Sequence, residues 1–400
     1  MRILAVSQYY WPEPFNVSEI CEELVARGHE VTVLTGLPNY PEGEYYAGYS
    51  SEGPLEENHN GVRIMRVANR PRHRGAVARV INYYSFAERG KAAARKLSRE
   101  YDVVLAFTIS PVMSAEPANV AARHLDIPLV NYVIDLWPEC LLAGGVRRNS
   151  LVFNYYRQIS KRIYDVADSY LVTSPGFVPY LSDLLGHDID ATFLPQFAED
   201  SFFDDNETFI PEGYLPDKFN LTFAGNVGTA QAVDCIVRTA GLAEEGEGLL
   251  FHVVGDGSEL SRCKALAEEL SCNNIVFHGR HDISEMPSYY AASNAMIASF
   301  ADMPVLALTL PRKVQSYMAA GRPVIATAPG ETKRVIEEAR CGFICDPEDP
   351  KQLLDTCRKL AEVSDVDRQA MGSRGREYCR EKYARAGFFS TLEKCLRKVG

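Results

Sequence analysis

Apolar residues in this 400-residue chain fall into two alternating patterns: short continuous runs, and longer stretches where they recur every third or fourth position. "ILAVS" from Ile3 is followed by "SEICEELVARG", in which Ile20, Leu24 and Val25 share a helical face and Gly28 supplies a stop. "VTVLT" from Val31, "VRIMRV" from Val62, "DVVLAF" from Asp102, "PLVNYVID" from Pro128 and "SYLVT" from Ser169 read as strands. Between them the spacing predicts helices from about Ala76 to Arg99, Val112 to His124, Phe153 to Val166 and Phe177 to Leu185. A second series begins near Phe219 with "NLTFAG", "LLFHVVG", "NIVFHG", "NAMIASF", "PVIAT" and "GFICD", again alternating with helical patterns. Strands apolar throughout, each followed by a helix, predict parallel sheets covered on both faces.

The stretch "ATFLPQFAEDSFFDDNETFIPEGYLPDK" is rich in Pro and acid and only weakly periodic, which puts a domain boundary near residues 190–215. The expected architecture is α/β: two doubly wound domains, 1–195 and 205–383, facing each other across a cleft. Ligands of such sheets bind at the carboxyl ends of the strands, so the chemistry is sought in the βα loops.

A net charge of −11 argues against nucleic acid as a partner. That average hides a local reversal. From Asn60 to Glu100 eleven basic residues face only Glu88 and Glu100. They are Arg63, Arg66, Arg70, Arg72, Arg74, Arg79, Arg89, Lys91, Arg95, Lys96 and Arg99. Such a face suits an anionic lipid surface, with Tyr83, Tyr84 and Phe86 against the bilayer; the plain alternative is a solvated helix paired with carboxylates. Ten scattered Cys without a C-x-x-C pair point to a reducing compartment, and neither they nor the eight His form a spaced metal set. The start "MRILAVSQYYWPEP" lacks a signal-peptide pattern, and no apolar run reaches the roughly 18–20 residues of a spanning helix. The expectation is a cytoplasmic protein lying on the inner membrane face.

Several post-strand loops could carry chemistry. Gly225-Asn226-Val227-Gly228-Thr229 opens a helix, where free N–H groups attract an anion; a tight turn is the simpler reading. Gly255-Asp256-Gly257 repeats the placement but lacks a third glycine, since Leu260 stands there, which weakens a dinucleotide site. In "TLPRKVQSYMAAGRPVIATAPGE", Pro311 starts a helix and Lys313 projects from its first turn, with Ser316 and Tyr317 on the same face. A lysine there opposes the helix dipole, which makes sense if it holds a diphosphate; a solvent-facing lysine is the alternative. Asp135 ends a strand under Leu136-Trp137-Pro138-Glu139, a position for a sugar-binding or catalytic acid or for a simple cap. Asn39, Tyr40 and Glu42 lie in another post-strand loop that also reads as a plain Pro/Gly turn.

Taken in order, the opening "MRILAVSQYYWPEP…ELVARGHEVTVLTGLPNYPEGEYYAGY", then "VIDLWPE", "FAGNVGTAQAVD", "VVGDGSEL", "NIVFHGR" and "LPRKVQSYMAAGRPVIATAPGE", resemble glycosyltransferase family 4 over nearly the whole chain. The bacterial L-fucosamine transferase-like subgroup of surface-polysaccharide enzymes is the most similar. The resemblance implies a GT-B fold with its last helix, 384–400, crossing back to the first domain. It also implies a retaining, metal-independent transfer without cofactor. The donor would be a UDP-linked sugar, an N-acetylated deoxyhexosamine, and the acceptor a polyprenyl-diphosphate-linked saccharide of O-antigen or capsule.

By this resemblance Asp135 and Lys313 are catalytic. Donor contacts fall on Gly225, Asn226, Gly228, Gln231, Gly255, Asp256, Gly257, Gly279, Arg280, Thr309, Lys313, Ser316, Tyr317 and Glu331, and acceptor contacts on Asn16, Asn39, Tyr40, Trp137 and Glu139. Two departures stand out. The family's paired glutamates fall on Leu308 and Ser316. Its diphosphate-gripping Arg and Lys fall on Asn226 and about Gln231, which shifts the charge onto Lys313, with Arg280 or Arg312. Two rivals remain: a nucleotide-sugar epimerase of the same architecture, and a non-catalytic scaffold.

Overall fold

The computed structural model describes residues 1–73, 75–98, 100–204 and 208–400. It divides into two compact units, Met1–Leu194 with Phe389–Gly400, and Pro195–Phe388. Arg74 and Arg99 of the basic stretch, and positions 205–207 of the connection, lie outside the described residues.

The first unit holds strands β1 (Arg2–Val6), β2 (Glu30–Gly36), β3 (Glu56–His59), β4 (Val62–Val67), β5 (Val103–Thr108), β6 (Leu129–Val133), β7 (Ser169–Val172) and β8 (Ala191–Phe193). Their order is β3-β4-β2-β1-β5-β6-β7-β8, parallel except for β3. The apolar runs are buried on both faces, as in Ile3–Val6 and Val103–Phe107. Strand β3, "EENH", has no apolar run to announce it, and as an edge strand it needs none.

Helices α1 (Val17–Ala26), α2 (Ala76–Ala94), α3 (Glu116–Leu125), α4 (Cys140–Ala143), α5 (Leu151–Tyr164) and α6 (Phe177–Leu185) cover this sheet. Helix α2 stops five residues short of the expected Arg99. Helix α5 begins at Leu151 because the Ser150 hydroxyl accepts from the Phe153 amide at 3.1 Å.

The second unit holds β9 (Phe219–Ala224), β10 (Leu249–Val254), β11 (Ile275–Gly279), β12 (Ala295–Ser299), β13 (Val324–Thr327) and β14 (Gly342–Cys345), in the order β11-β10-β9-β12-β13-β14. Helices α7 (Val233–Leu242), α8 (Leu260–Glu269), α9 (Met286–Ala292), α10 (Pro304–Leu308), α11 (Arg312–Ala319), α12 (Gly330–Ala339), α13 (Pro350–Glu362) and α14 (Asp365–Lys382) complete it. Reversal of strand order between β9 and β12 defines a switch point, the place where doubly wound sheets open a ligand crevice. Pairing between these two strands covers only Ala295–Leu221 and Met296–Thr222, so their carboxyl ends splay.

The last helix, α15 (Arg385–Val399), passes from one unit into the other. Its residues from Phe389 onward pack in the first unit, where His29 Nε2 meets Glu393 at 2.9 Å and Lys398 meets Asp190 at 2.7 Å. No described helix is long and apolar enough to cross a membrane.

Candidate active site

In the second unit, helix α11 fills the splay between β9 and β12. The Tyr317 hydroxyl donates to the Ala224 carbonyl at 2.7 Å and accepts from the Ala224 amide at 2.8 Å, completing the strand end that β12 leaves unpaired. Tyr317 is therefore consumed by the backbone, with no exposure. Ser316 is similarly committed, its hydroxyl bonding back to the Arg312 carbonyl at 3.3 Å.

Lys313, one turn earlier, is different. Its Nζ is sealed from solvent and has no hydrogen-bond partner among the described residues. It rests 4.0 Å from the centroid of Phe223 in β9 and 5.5 Å from that of Phe300, just past β12. The ammonium thus stands over the switch point itself. Burial alone pushes its pKa down to about 7. An unpaired ammonium held away from water is costly, and sites that need a poised charge are where such arrangements occur.

Two glycine loops meet beside it. A Cβ on Gly225 would lie 3.2 Å from Lys313 Nζ, and one on Gly255 would collide with the Gly225 carbonyl oxygen at 1.9 Å. A Cβ on Gly257 would likewise collide with the Val227 carbonyl oxygen, at 2.4 Å. The loops are laced by Gly225 N to Val254 O at 2.9 Å, Val227 N to Asp256 O at 2.9 Å and Gly255 N to Gly279 O at 2.7 Å. Both loops have glycine where any side chain would hold the backbones apart.

Asn226 and Gln231 stand where the family carries its cationic pair, and here they bond each other. Gln231 Oε1 accepts from Asn226 Nδ2 at 3.1 Å and from the Gly228 amide at 3.2 Å. Thr309 bonds the Val305 carbonyl at 2.7 Å, and Glu331 in the first turn of α12 pairs with Arg334 at 3.0 Å. Asp256 and Arg280 are exposed at the ends of the loops after β10 and β11. Arg312, a suggested helper of Lys313, forms an ion pair with Glu199.

In the first unit, Asp135 follows β6 and its Oδ2 accepts from the Ser110 amide at 2.8 Å, in the loop after β5. The Ser110 hydroxyl accepts from Trp137 Nε1 at 2.9 Å, so Ser110 ties the acid to the indole. Glu139 is only 2 % exposed and is held by both Arg148 nitrogens and the Tyr180 hydroxyl. Asn39 is equally committed: it donates to Leu37 O at 2.8 Å and accepts from the Arg72 amide at 2.9 Å. Tyr40 lies under Arg72, 5.1 Å from ring centroid to guanidinium, and Asn16 opens α1 nearby in the chain.

Sequence reasoning missed Glu13. Its carboxylate, 4 % exposed, accepts from the amides of Asn39 at 2.8 Å, Tyr40 at 2.7 Å and Tyr10 at 3.3 Å. It clips the loop after β1 to the loop after β2. Burial pushes its pKa up to about 7 against the pull of those amides. An acid between two prolines in the loop after the first strand was the available signal.

The basic stretch is more consumed than its sequence suggests. Arg66 is buried on Glu57 at 2.6 Å, and Lys91 is shared at 2.8 Å each by Glu88 and Glu116. Phe86, expected at lipid, is fully buried, because its face of α2 packs toward Gly90 and Pro117 of α3.

Two doubly wound units, the second with splayed strands, interlocked glycine loops and a sealed cation over its switch point, have the GT-B architecture. Two family models match consecutive parts of the chain: "Glycosyl transferase 4-like domain" over residues 16–195 and "Glycosyl transferases group 1" over 218–362. The protein is accordingly a glycosyltransferase of the group 4 type. It is 25% identical over 309 residues to the probable glycosyltransferase WbjE of Pseudomonas aeruginosa, covering 76% of each chain. It is 23% identical over 355 residues to the putative colanic acid biosynthesis glycosyl transferase WcaI of Escherichia coli, covering 83% of this chain and 84% of that one. The structure of Anabaena HepE in complex with UDP superposes with a TM-score of 0.71 over 100% of both chains at 14% identity.

Proposed function

We propose that this enzyme moves a sugar from a UDP-linked donor, with retention of configuration, onto a polyprenyl-diphosphate-linked saccharide during surface-polysaccharide synthesis at the inner membrane face. The observation that carries the donor half is the unpaired Lys313 ammonium over the β9/β12 switch point, against the Gly225 loop. A nucleoside diphosphate supplies the counter-charge that this cation lacks. The UDP bound by HepE and the colanic acid role in the name of WcaI support the same reading, and an N-acetylated deoxyhexosamine remains the sugar proposed.

In the proposed chemistry the bond from the anomeric carbon to the diphosphate oxygen breaks as the acceptor hydroxyl bonds that carbon on the same face. The acceptor proton passes to the departing diphosphate oxygen. Charge grows on that leaving group, and Lys313 with the loop amides stabilises it most in the transition state, which is what accelerates the step without a metal. Asp135, aligned by Ser110, orients sugar or acceptor hydroxyls. A thermal-shift panel of nucleoside diphosphates and nucleotide sugars tests the donor assignment. UDP-class ligands should raise the melting temperature, and a flat response to every nucleotide would leave only a scaffold.

A further inference from the structure

Charge in the first unit is segregated along the sequence. Residues 58–87 and 140–164 contain no acid, against six and five basic residues respectively, in a chain of net charge −11. These two stretches contain the first twelve residues of α2, up to Ala87, and all of α5. Both helices follow strands of one parallel sheet, β4 and β6, so both start at its carboxyl edge and their first turns emerge at the same end of the unit. The helices adjoin: Tyr84 of α2 neighbours Tyr155 and Tyr156 of α5.

Around that tyrosine junction the apolar side chains point outward. Val77, Val80 and Ile81 of α2 are 74%, 41% and 45% exposed, and Leu151, Val152 and Tyr155 of α5 are 89%, 50% and 57% exposed. Spacings of three and four residues put each set on one helical face. A single exposed leucine is ordinary, but six apolar side chains from two adjoining helices form a patch of the kind that marks an interaction site. Arg79 and Arg147 stand exposed at its rim. Glu139, the acid preceding the second stretch, is buried in its bonds to Arg148 and Tyr180.

We propose that the paired tips of α2 and α5 seat the enzyme on an anionic bilayer. Val77, Val80, Ile81, Leu151 and Val152 enter the boundary between head groups and acyl chains, while the rim arginines engage lipid phosphates. Charge complementarity selects this occupant. An anionic surface repels an acidic chain as a whole and favours the two acid-free stretches that carry these helix tips, whereas a second copy would bring arginine against arginine. The proposal deepens the lipid-linked acceptor reading and replaces the buried Phe86 with a second helix that the basic stretch did not include.

The test is co-sedimentation of the full chain with phosphatidylcholine vesicles and with vesicles of equal phosphatidylcholine and phosphatidylglycerol. Binding should be at least about tenfold stronger to the anionic vesicles. Val77→Asp with Leu151→Asp should lose that binding at least about tenfold while UDP affinity stays unchanged, which separates failure here from failure of the donor reading. As a check independent of that variant's folding, Leu151→Trp should show indole emission quenched by brominated acyl chains. Equal sedimentation on both vesicle types, an unquenched indole, or a dimer in solution that the paired Asp substitutions split would overturn the proposal.

Discussion

Lys313 Nζ lies 4.0 Å from the centre of the Phe223 ring and has no carboxylate or carbonyl to bond among the described residues. A cation on a desolvated aromatic face recovers about 2 kcal/mol, well short of what removing an ammonium from water costs. The shortfall appears as a pKa of about 7. The empty enzyme therefore carries a local instability that an anionic ligand would remove.

Replacing Lys313 with Met should make stability and activity move in opposite directions. The ligand-free protein should gain on the order of a few kcal/mol, since the drop in pKa is itself a folding penalty, and its melting temperature should rise by several degrees. Transfer should fall at least about 100-fold as the leaving group loses its cation. Melting curves and initial rates on the same preparation decide this; a destabilised variant, or one with near-normal rates, would refute the role given to Lys313.

The same lysine sets a pH signature. Its folded pKa is depressed, so its penalty is complete below pH 7 and is relieved as pH rises through about 7 toward the unfolded value of 10.5. Wild-type stability should therefore gain a rising component over that window, absent from Lys313→Met. Diphosphate binding favours the charged form, so it should take up a proton above pH 7, and UDP affinity should weaken by about tenfold per pH unit there. Calorimetry in two buffers of different ionisation enthalpy measures the uptake directly.

Strands apolar on both faces were legible, because burial on two sides leaves a continuous signature; β3 was not, since a charged edge strand has none. Lys313 could be picked out because Pro311 marks the helix start and a lysine opposes the dipole there. What could not be read was how polar side chains settle among themselves. Tyr317 shares the face of Lys313, yet its hydroxyl goes to Ala224, and Asn226 and Gln231 turn to each other. Glu13 owes its burial to amides 26 and 27 residues away, a distance that no local pattern reports.

Gly255→Ala should be severe and Gly279→Ala mild, although both glycines have positive φ, +145° and +76°. The added methyl at Gly255 meets the Gly225 carbonyl at 1.9 Å, whereas Gly279 has nothing within 4 Å. The first should cost more than about 3 kcal/mol or force the loops apart, and the second about 1 kcal/mol from backbone strain alone. Urea denaturation with UDP titration tests both, and equal effects would show that conformational freedom, not loop contact, is what glycine supplies.

Glu13→Ala and Glu13→Gln separate the clip from its charge. Alanine strands three amides, each worth about 1–3 kcal/mol when buried without a partner, and should free the loops after β1 and β2. Because those loops belong to the first unit, UDP affinity should hold while use of the acceptor drops. Glutamine keeps one oxygen for Asn39 and Tyr40 and should lose far less. The raised pKa works in the window below that of Lys313: Glu13 favours the fold fully below about 4.5, and that contribution disappears as pH rises through about 7. Denaturation at pH 5 and pH 7 should show a fall in wild-type stability that Glu13→Gln flattens. An unchanged fall would mean that another group titrates there and that Glu13 is ionised throughout.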